Sequence, residues 1–177
     1  FWDIPNADWE FVVFDSPQIN AFALPGGKVG VYSGLFRIVK NDDQLASVLA
    51  HEIAHVAAHH THERLSQAMG AELGGVLVGV GTMGSGTLPA QVIQQAYGIT
   101  ATGAVLAYDR GKEKEADTIG VVYMARAGYN PEESVKVIEQ LEAETAAKGG
   151  AQGGWFSTHP AYPERILNLM DSMPKAL

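Results

Sequence analysis

His51-Glu52-Ile53-Ala54-His55 carries the spacing H-E-x-x-H, which on a helix sets two imidazoles one turn apart on the same face. Their ring nitrogens can share a single ion, and the chemistry this suits is zinc-assisted hydrolysis. Glu52 is rotated to the side of that face. There it can act as general base to an attacking water and then as acid to a leaving amine, without binding the metal. Burying two histidines and a glutamate unpaired in a mostly apolar helix would be costly, which argues for a common ligand.

A catalytic zinc takes three protein ligands and keeps one position open. Cysteine is absent from the chain, so the third ligand is a histidine or a carboxylate. The extended metzincin motif would require Gly at position 58 and His at 61, where this chain has Ala58 and Thr61, and is excluded. The best candidate is Glu113-Lys114-Glu115-Ala116-Asp117. On a helix Glu113 and Asp117 share a face, so Glu113 can ligate while Asp117 orients an imidazole. Glu115 lies about 200° around the cylinder and is expected in solvent or beside a basic neighbour. Ala116 and Gly120 are small enough to let two helices approach closely. The same charged run would also suit the first turn of a surface helix. A di-iron bundle is the competing metal chemistry, since Glu52-Ile53-Ala54-His55 also reads E-x-x-H; that architecture needs two such motifs, and the chain has one.

These residues need elements to position them. Trp9 to Asp15 is aromatic and β-branched and reads as a strand, and Ala21 to Leu24 and Lys28 to Tyr32 flank the turn Pro25-Gly26-Gly27. Asn41-Asp42-Asp43 offers N-cap chemistry for a helix through Leu45, Val48, Leu49, Ile53 and Val56, apolar around much of its surface and therefore central and buried. His59 continues the face of His51 and His55, and with His60, His62 and Glu63 it either reaches solvent or holds a second metal weakly. Further helices are expected from about Pro89 towards Ala107, from Gly111 to Ala127, from Pro131 to Ala147, and from Pro163 to Ser172. Gly70 through Gly86, glycine-rich and small, suits a lid or docking element as well as it suits a packed helix. Strands followed by helices predict an α+β fold, mainly helical, with a small antiparallel or mixed N-terminal sheet. Residues 1–177 are expected to form one domain.

A formal charge of -8, from 12 Lys+Arg against 20 Asp+Glu, argues against nucleic acid and anionic lipid and leaves polypeptides as the better substrate class. The apolar stretch Leu73 to Met83 is about half a membrane span, so no transmembrane segment is expected. The chain starts at Phe1, which is compatible with a leader removed upstream.

Four segments in order, Asn20-Ala21-Phe22-Ala23-Leu24-Pro25-Gly26-Gly27, His51 through His55, Glu113 through Asp117, and His159-Pro160 followed by Arg165-Ile166, resemble the gluzincin-type zinc metallopeptidases that include HtpX, BepA, LoiP and the CaaX prenyl endopeptidases. The resemblance covers most of the chain. It implies a minimal zincin-like fold and one Zn2+ held by His51, His55 and Glu113, with Glu52 as catalytic base and Asp117 in support. It also places His159 beside the metal. There His159 would either stabilise the oxyanion or occupy the open metal position at rest. Asn20 and its hairpin suit the edge of a cleft to which an extended peptide adds as a strand, or an ordinary turn. Arg165 suits bracing of the site loop through a carboxylate or a place on the surface. The chain is most similar to the soluble periplasmic branch of the family, which implies an endopeptidase of unfolded or misassembled proteins in the bacterial envelope, with peripheral membrane association compatible. The alternative is a catalytically silent chaperone or adaptor using the same cleft.

Overall fold

The structure, a computed structural model, describes residues 7–64, 66, 108–148 and 154–176, with side chains described as far as residue 173. The expected helix at 89–107 and the glycine-rich segment 70–86 lie outside the described residues.

Three strands form the N-terminal sheet: β1 (Glu10–Phe14), β2 (Ala21–Leu24) and β3 (Lys28–Tyr32), in the order β1-β3-β2. The sheet is mixed, as β3 pairs parallel with β1 and antiparallel with β2. Gly26 and Gly27 close the β2–β3 hairpin with φ of 88° and 94°, backbone that L side chains rarely adopt. Ala21 and Ala23 face the interior from β2, the alternation expected of a strand with one packed face.

A 3₁₀ turn over Ser33–Arg37 leads into α1 (Asp42–Ala57). The Asn41 side chain accepts from Gln44 N at 2.8 Å, satisfying a first-turn donor as an N-cap should. Every residue from Ala50 to Val56 is buried, and α1 packs against α2 (Arg110–Arg126), α3 (Glu133–Ala147), β2 and β3. It is thus the central helix, as its apolar surround predicts. One apolar cluster on its flank includes Val48, Leu35, Val121, Val137, Leu141 and Trp155; a second includes Ile53, Ala54, Val29, Ala116 and Met124. The approach of α2 is close. A Cβ built on Gly120 would lie 3.2 Å from the backbone nitrogen of His51, so the small residue there sets the distance between the two site-bearing helices.

Asp109 caps α2 by accepting from Lys112 N at 3.0 Å, and the helix ends before Gly128, at φ 82°. Glu133, an acid in the first turn of α3, is buried and accepts from Gln44 Nε2 at 2.8 Å, from Asn41 Nδ2 at 3.3 Å and from Lys136. It ties the starts of α3 and α1 together. A short α4 (Trp155–Thr158) and α5 (Arg165–Ala176) complete the described chain.

The continuation of α1 departs from the sequence expectation. The helix ends at Ala58, His59 takes φ 61°, and the chain is helical again over 60–64. His59 is therefore exposed rather than on the face of His51 and His55, and His60 turns inward, 5% exposed.

Candidate functional site

Three parts of the chain converge beside α1. From α1 come His51, Glu52 and His55, from α2 come Glu113 and Asp117, and from the loop after α4 comes His159. All six are buried, none more than 5% exposed. One atom from each of His51, His55, Glu113 and His159 lies within 4.8 Å of the other three. His51 Nε2 is 3.1 Å from His55 Nε2, 3.2 Å from His159 Nδ1 and 3.4 Å from Glu113 Oε2. Glu113 Oε1 is 3.2 Å from His55 Nε2 and 3.0 Å from His159 Nδ1.

These separations fit a metal. Ligands bound about 2.0–2.1 Å from a tetrahedral zinc stand roughly 3.3 Å from one another. Three imidazole nitrogens crowded edge to edge around one carboxylate cannot all be satisfied by donating to each other, whereas a single cation accepts all their lone pairs.

The field of the site has the same sense. Burial works against a charged His51, but Glu113 and Asp117 outweigh it and push the imidazole up to about 9. His159 is raised against burial by Glu52 and Glu113. Burial, reinforced by its imidazole neighbours, takes His55 down to about 3, so its nitrogens are free of charge. Glu113 and Glu52 are lowered in spite of burial, His159 being the main cause for each. Both carboxylates are ionised, one aimed into the donor cluster and one beside it.

Support comes from further partners. Asp117 Oδ1 lies 2.8 Å from His51 Nδ1 and 2.9 Å from Arg165 Nη2, and Tyr162 donates its hydroxyl to Asp117 Oδ2 at 2.9 Å. Arg165 Nη1 reaches Glu113 Oε2 at 3.1 Å. Arg165 is thus a buried brace between two carboxylates. Trp155 stacks on His159 with ring centroids 4.2 Å apart, and Tyr108 stacks on His55 at 3.8 Å. The backbone of Tyr108 also holds the His159 loop, its N–H donating to Thr158 O at 3.1 Å.

Asn20 stands at the entry to β2. Its side chain accepts from Ala21 N at 2.9 Å and its carbonyl from Tyr32 N at 3.1 Å, so it shapes the strand rather than joining the buried donors. Glu115 is the exposed acid expected, and its basic neighbour is His60, 3.3 Å away. Sequence reasoning gives Trp155 no role; it leaves Tyr108 and Tyr162 between cleft donors and packing, and His60 between solvent and a weak second metal, so none of the contacts seen here is assigned by it. The aromatic character of the first three residues, close to the motif residues in sequence, is the signal it had.

Comparison with known proteins gives a family and several relatives. The family model described as Peptidase family M48 matches residues 1–172. The chain is 39% identical over 183 residues to the mitochondrial metalloendopeptidase OMA1 of Saccharomyces cerevisiae, covering 95% of this chain and 48% of that protein. It is 32% identical over 178 residues to the Arabidopsis thaliana protein of the same name, covering 98% of this chain and 34% of the relative. To the beta-barrel assembly-enhancing protease of Escherichia coli K12 it is 36% identical over 168 residues, covering 90% and 33%. The chain spans about half the length, or less, of these curated relatives. On the family match and the shared residues, the chain belongs to Peptidase family M48, the gluzincin-type metallopeptidases.

Proposed function

We propose that this domain is a zinc endopeptidase, one Zn2+ per chain, with His51, His55 and Glu113 as protein ligands and Glu52 as general base. Its substrates on this reading are unfolded or misassembled polypeptides, and its task is protein quality control at an envelope membrane. The observation that carries the reading is the set of 3.0–3.4 Å separations among four buried donors. The names of the relatives, a mitochondrial metalloendopeptidase and a beta-barrel assembly-enhancing protease, support membrane-linked proteolysis. No helix among the described residues is long and apolar enough to cross a membrane.

Bound zinc supplies Lewis acidity, lowering the pKa of a water and polarising the scissile carbonyl. The rest falls to the chain. Glu52 is ionised and next to a ligand, so it can take the proton of the attacking water and hand it to the leaving amine. Asp117 holds the Nδ1 proton of His51 and keeps Nε2 turned to the cluster. Arg165 neutralises Asp117 and the remaining oxygen of Glu113, which keeps both carboxylates in place. An extended substrate can add along the edge of β2 that no other strand among the described residues pairs with, entered at Asn20, where main-chain pairing leaves side-chain preference loose.

His159 has two roles in this account. Its Nδ1 lies within the donor set and its Nε2 sits 3.0 Å from Glu52 Oε1, so one imidazole both fills the position a carbonyl would need and caps the base. That is a closed resting site. When the loop moves, the freed imidazole can donate to the developing oxyanion.

Casein cleavage by the wild type and by His159→Ala, with and without a chelator, tests the reading. Chelation should abolish cleavage, and zinc added back should restore it at one equivalent per chain. His159→Ala should bind zinc more weakly and change the cleavage rate, release of the resting contact raising it and loss of the oxyanion donor lowering it. Cleavage that survives complete metal removal would refute zinc catalysis. A variant unchanged in both zinc affinity and cleavage would refute the closed site.

A further inference from the structure

The two ligand histidines of α1 are oriented by different means. His51 turns Nδ1 to Asp117 at 2.8 Å. His55 turns Nδ1 to another imidazole, His60 Nδ1 at 3.0 Å, and His60 Nε2 lies 3.3 Å from Glu115 Oε2. Two nitrogens in contact share one proton. With His55 Nε2 presenting its lone pair to the cluster, the proton belongs on His55 Nδ1; His60 then accepts at Nδ1 and carries its own proton on Nε2, where Glu115 accepts.

We propose that His60 is a positioning residue. It sets the tautomer and ring orientation of His55 through a relay from Glu115, doing for His55 what Asp117 does directly for His51. The inference rests on the zinc reading above.

The backbone is built to allow this contact. Along an unbroken helix, five residues turn about 140° past the starting face, and His60 would point away from His55. The break at Ala58 and the left-handed φ of 61° at His59 bring His60 round instead. A positive φ at a non-glycine residue costs energy and persists where surrounding structure requires it. Both rings are buried, and Tyr108 stacks on the open face of His55 with planes 17° apart. His55 is therefore held by a ring on its face and an acceptor at its edge. The outermost link, Glu115, is 59% exposed, so its share of the effect is the smallest.

Long-range proton–nitrogen spectra of the histidine rings in the metal-free wild type give a readout independent of zinc. The expected result is His55 protonated on Nδ1 and His60 on Nε2. Zinc affinity by chelator competition is then compared across three variants. His60→Phe keeps a ring but no acceptor and should weaken zinc by about 10- to 100-fold, while His60→Asn, with an oxygen near the place of Nδ1, should stay within about threefold of wild type. Glu115→Gln, on the surface and so without risk to folding, should weaken zinc by roughly two- to fivefold. His55 protonated on Nε2 in the metal-free protein overturns the relay, as do equal effects of Phe and Asn at position 60. Should His60→Phe fail to fold, an unchanged zinc affinity in Glu115→Gln overturns it. A wild type with the expected tautomers but no zinc uptake refutes the zinc reading and leaves the relay standing.

Discussion

Glu52→Gln should cut peptide hydrolysis by about 10²- to 10⁴-fold, the usual worth of a positioned general base, while the protein keeps one zinc per chain. The substitution is close to isosteric at a residue 2% exposed, so packing around α1 should survive. It removes the carboxylate proposed as the base and leaves His51, His55 and Glu113 untouched. The ion pair from His159 Nε2, 3.0 Å from Glu52 Oε1, is also lost, which should loosen the resting loop. A silent chaperone or adaptor would keep its activity in this variant. Unchanged cleavage of casein, with zinc content also unchanged, would contradict the assignment of the base.

Arg165→Leu should destabilise the metal-free fold by about 3–5 kcal/mol, the range for breaking a buried ion pair by removing one partner. Arg165 is 1% exposed and pairs at once with Glu113 Oε2 at 3.1 Å and Asp117 Oδ1 at 2.9 Å. Without the guanidinium two buried carboxylates lose their shared cation, and among the described residues the Tyr162 hydroxyl and neighbouring imidazoles remain near them. Arg165→Lys should fall between the two, because an ammonium cannot span both carboxylates with a fixed fork. Adding Asp117→Asn to Arg165→Leu should cost less than the sum of the single losses, since the residues belong to one network. Urea unfolding of the metal-free proteins measures all of these. A loss below about 1 kcal/mol in Arg165→Leu would place the pair among contacts of surface-like worth.

What the sequence made readable was whatever depended on helical spacing alone. His51 with His55, and Glu113 with Asp117, each lie one turn apart, and both pairs turn inward from neighbouring helices. The small side chains at Ala116 and Gly120 marked the helix contact for the same reason, as the residue four along lies on the same face. Asn41, Gly26 and Gly27 acted through local backbone chemistry and were equally visible.

Tertiary placement was less visible. His60 is inward only because the chain breaks after α1 at a histidine, with no glycine to signal the positive φ. The role of Arg165 depends on how the loop from His159 returns to α2, a matter of topology rather than spacing, and the contact of His159 came from family resemblance. Glu133 looked like an ordinary first-turn acid, yet it is buried against Gln44. The hairpin pattern gave β2 and β3, but not the parallel seat of β1 on the far side of β3. The family resemblance points to a bacterial envelope, whereas the relatives by name include mitochondrial proteins as well as proteins of bacteria.

On the proposed function, one zinc sits among the α1 histidines and Glu113, with Glu52 beside it as the base. A crystal of the Glu52→Gln protein grown with zinc, measured on both sides of the zinc absorption edge, tests this most directly. A single anomalous peak is expected about 2.0–2.1 Å from His51 Nε2, His55 Nε2 and a Glu113 oxygen. A peak at His59 and His62 instead, or none within reach of Glu113, would contradict it.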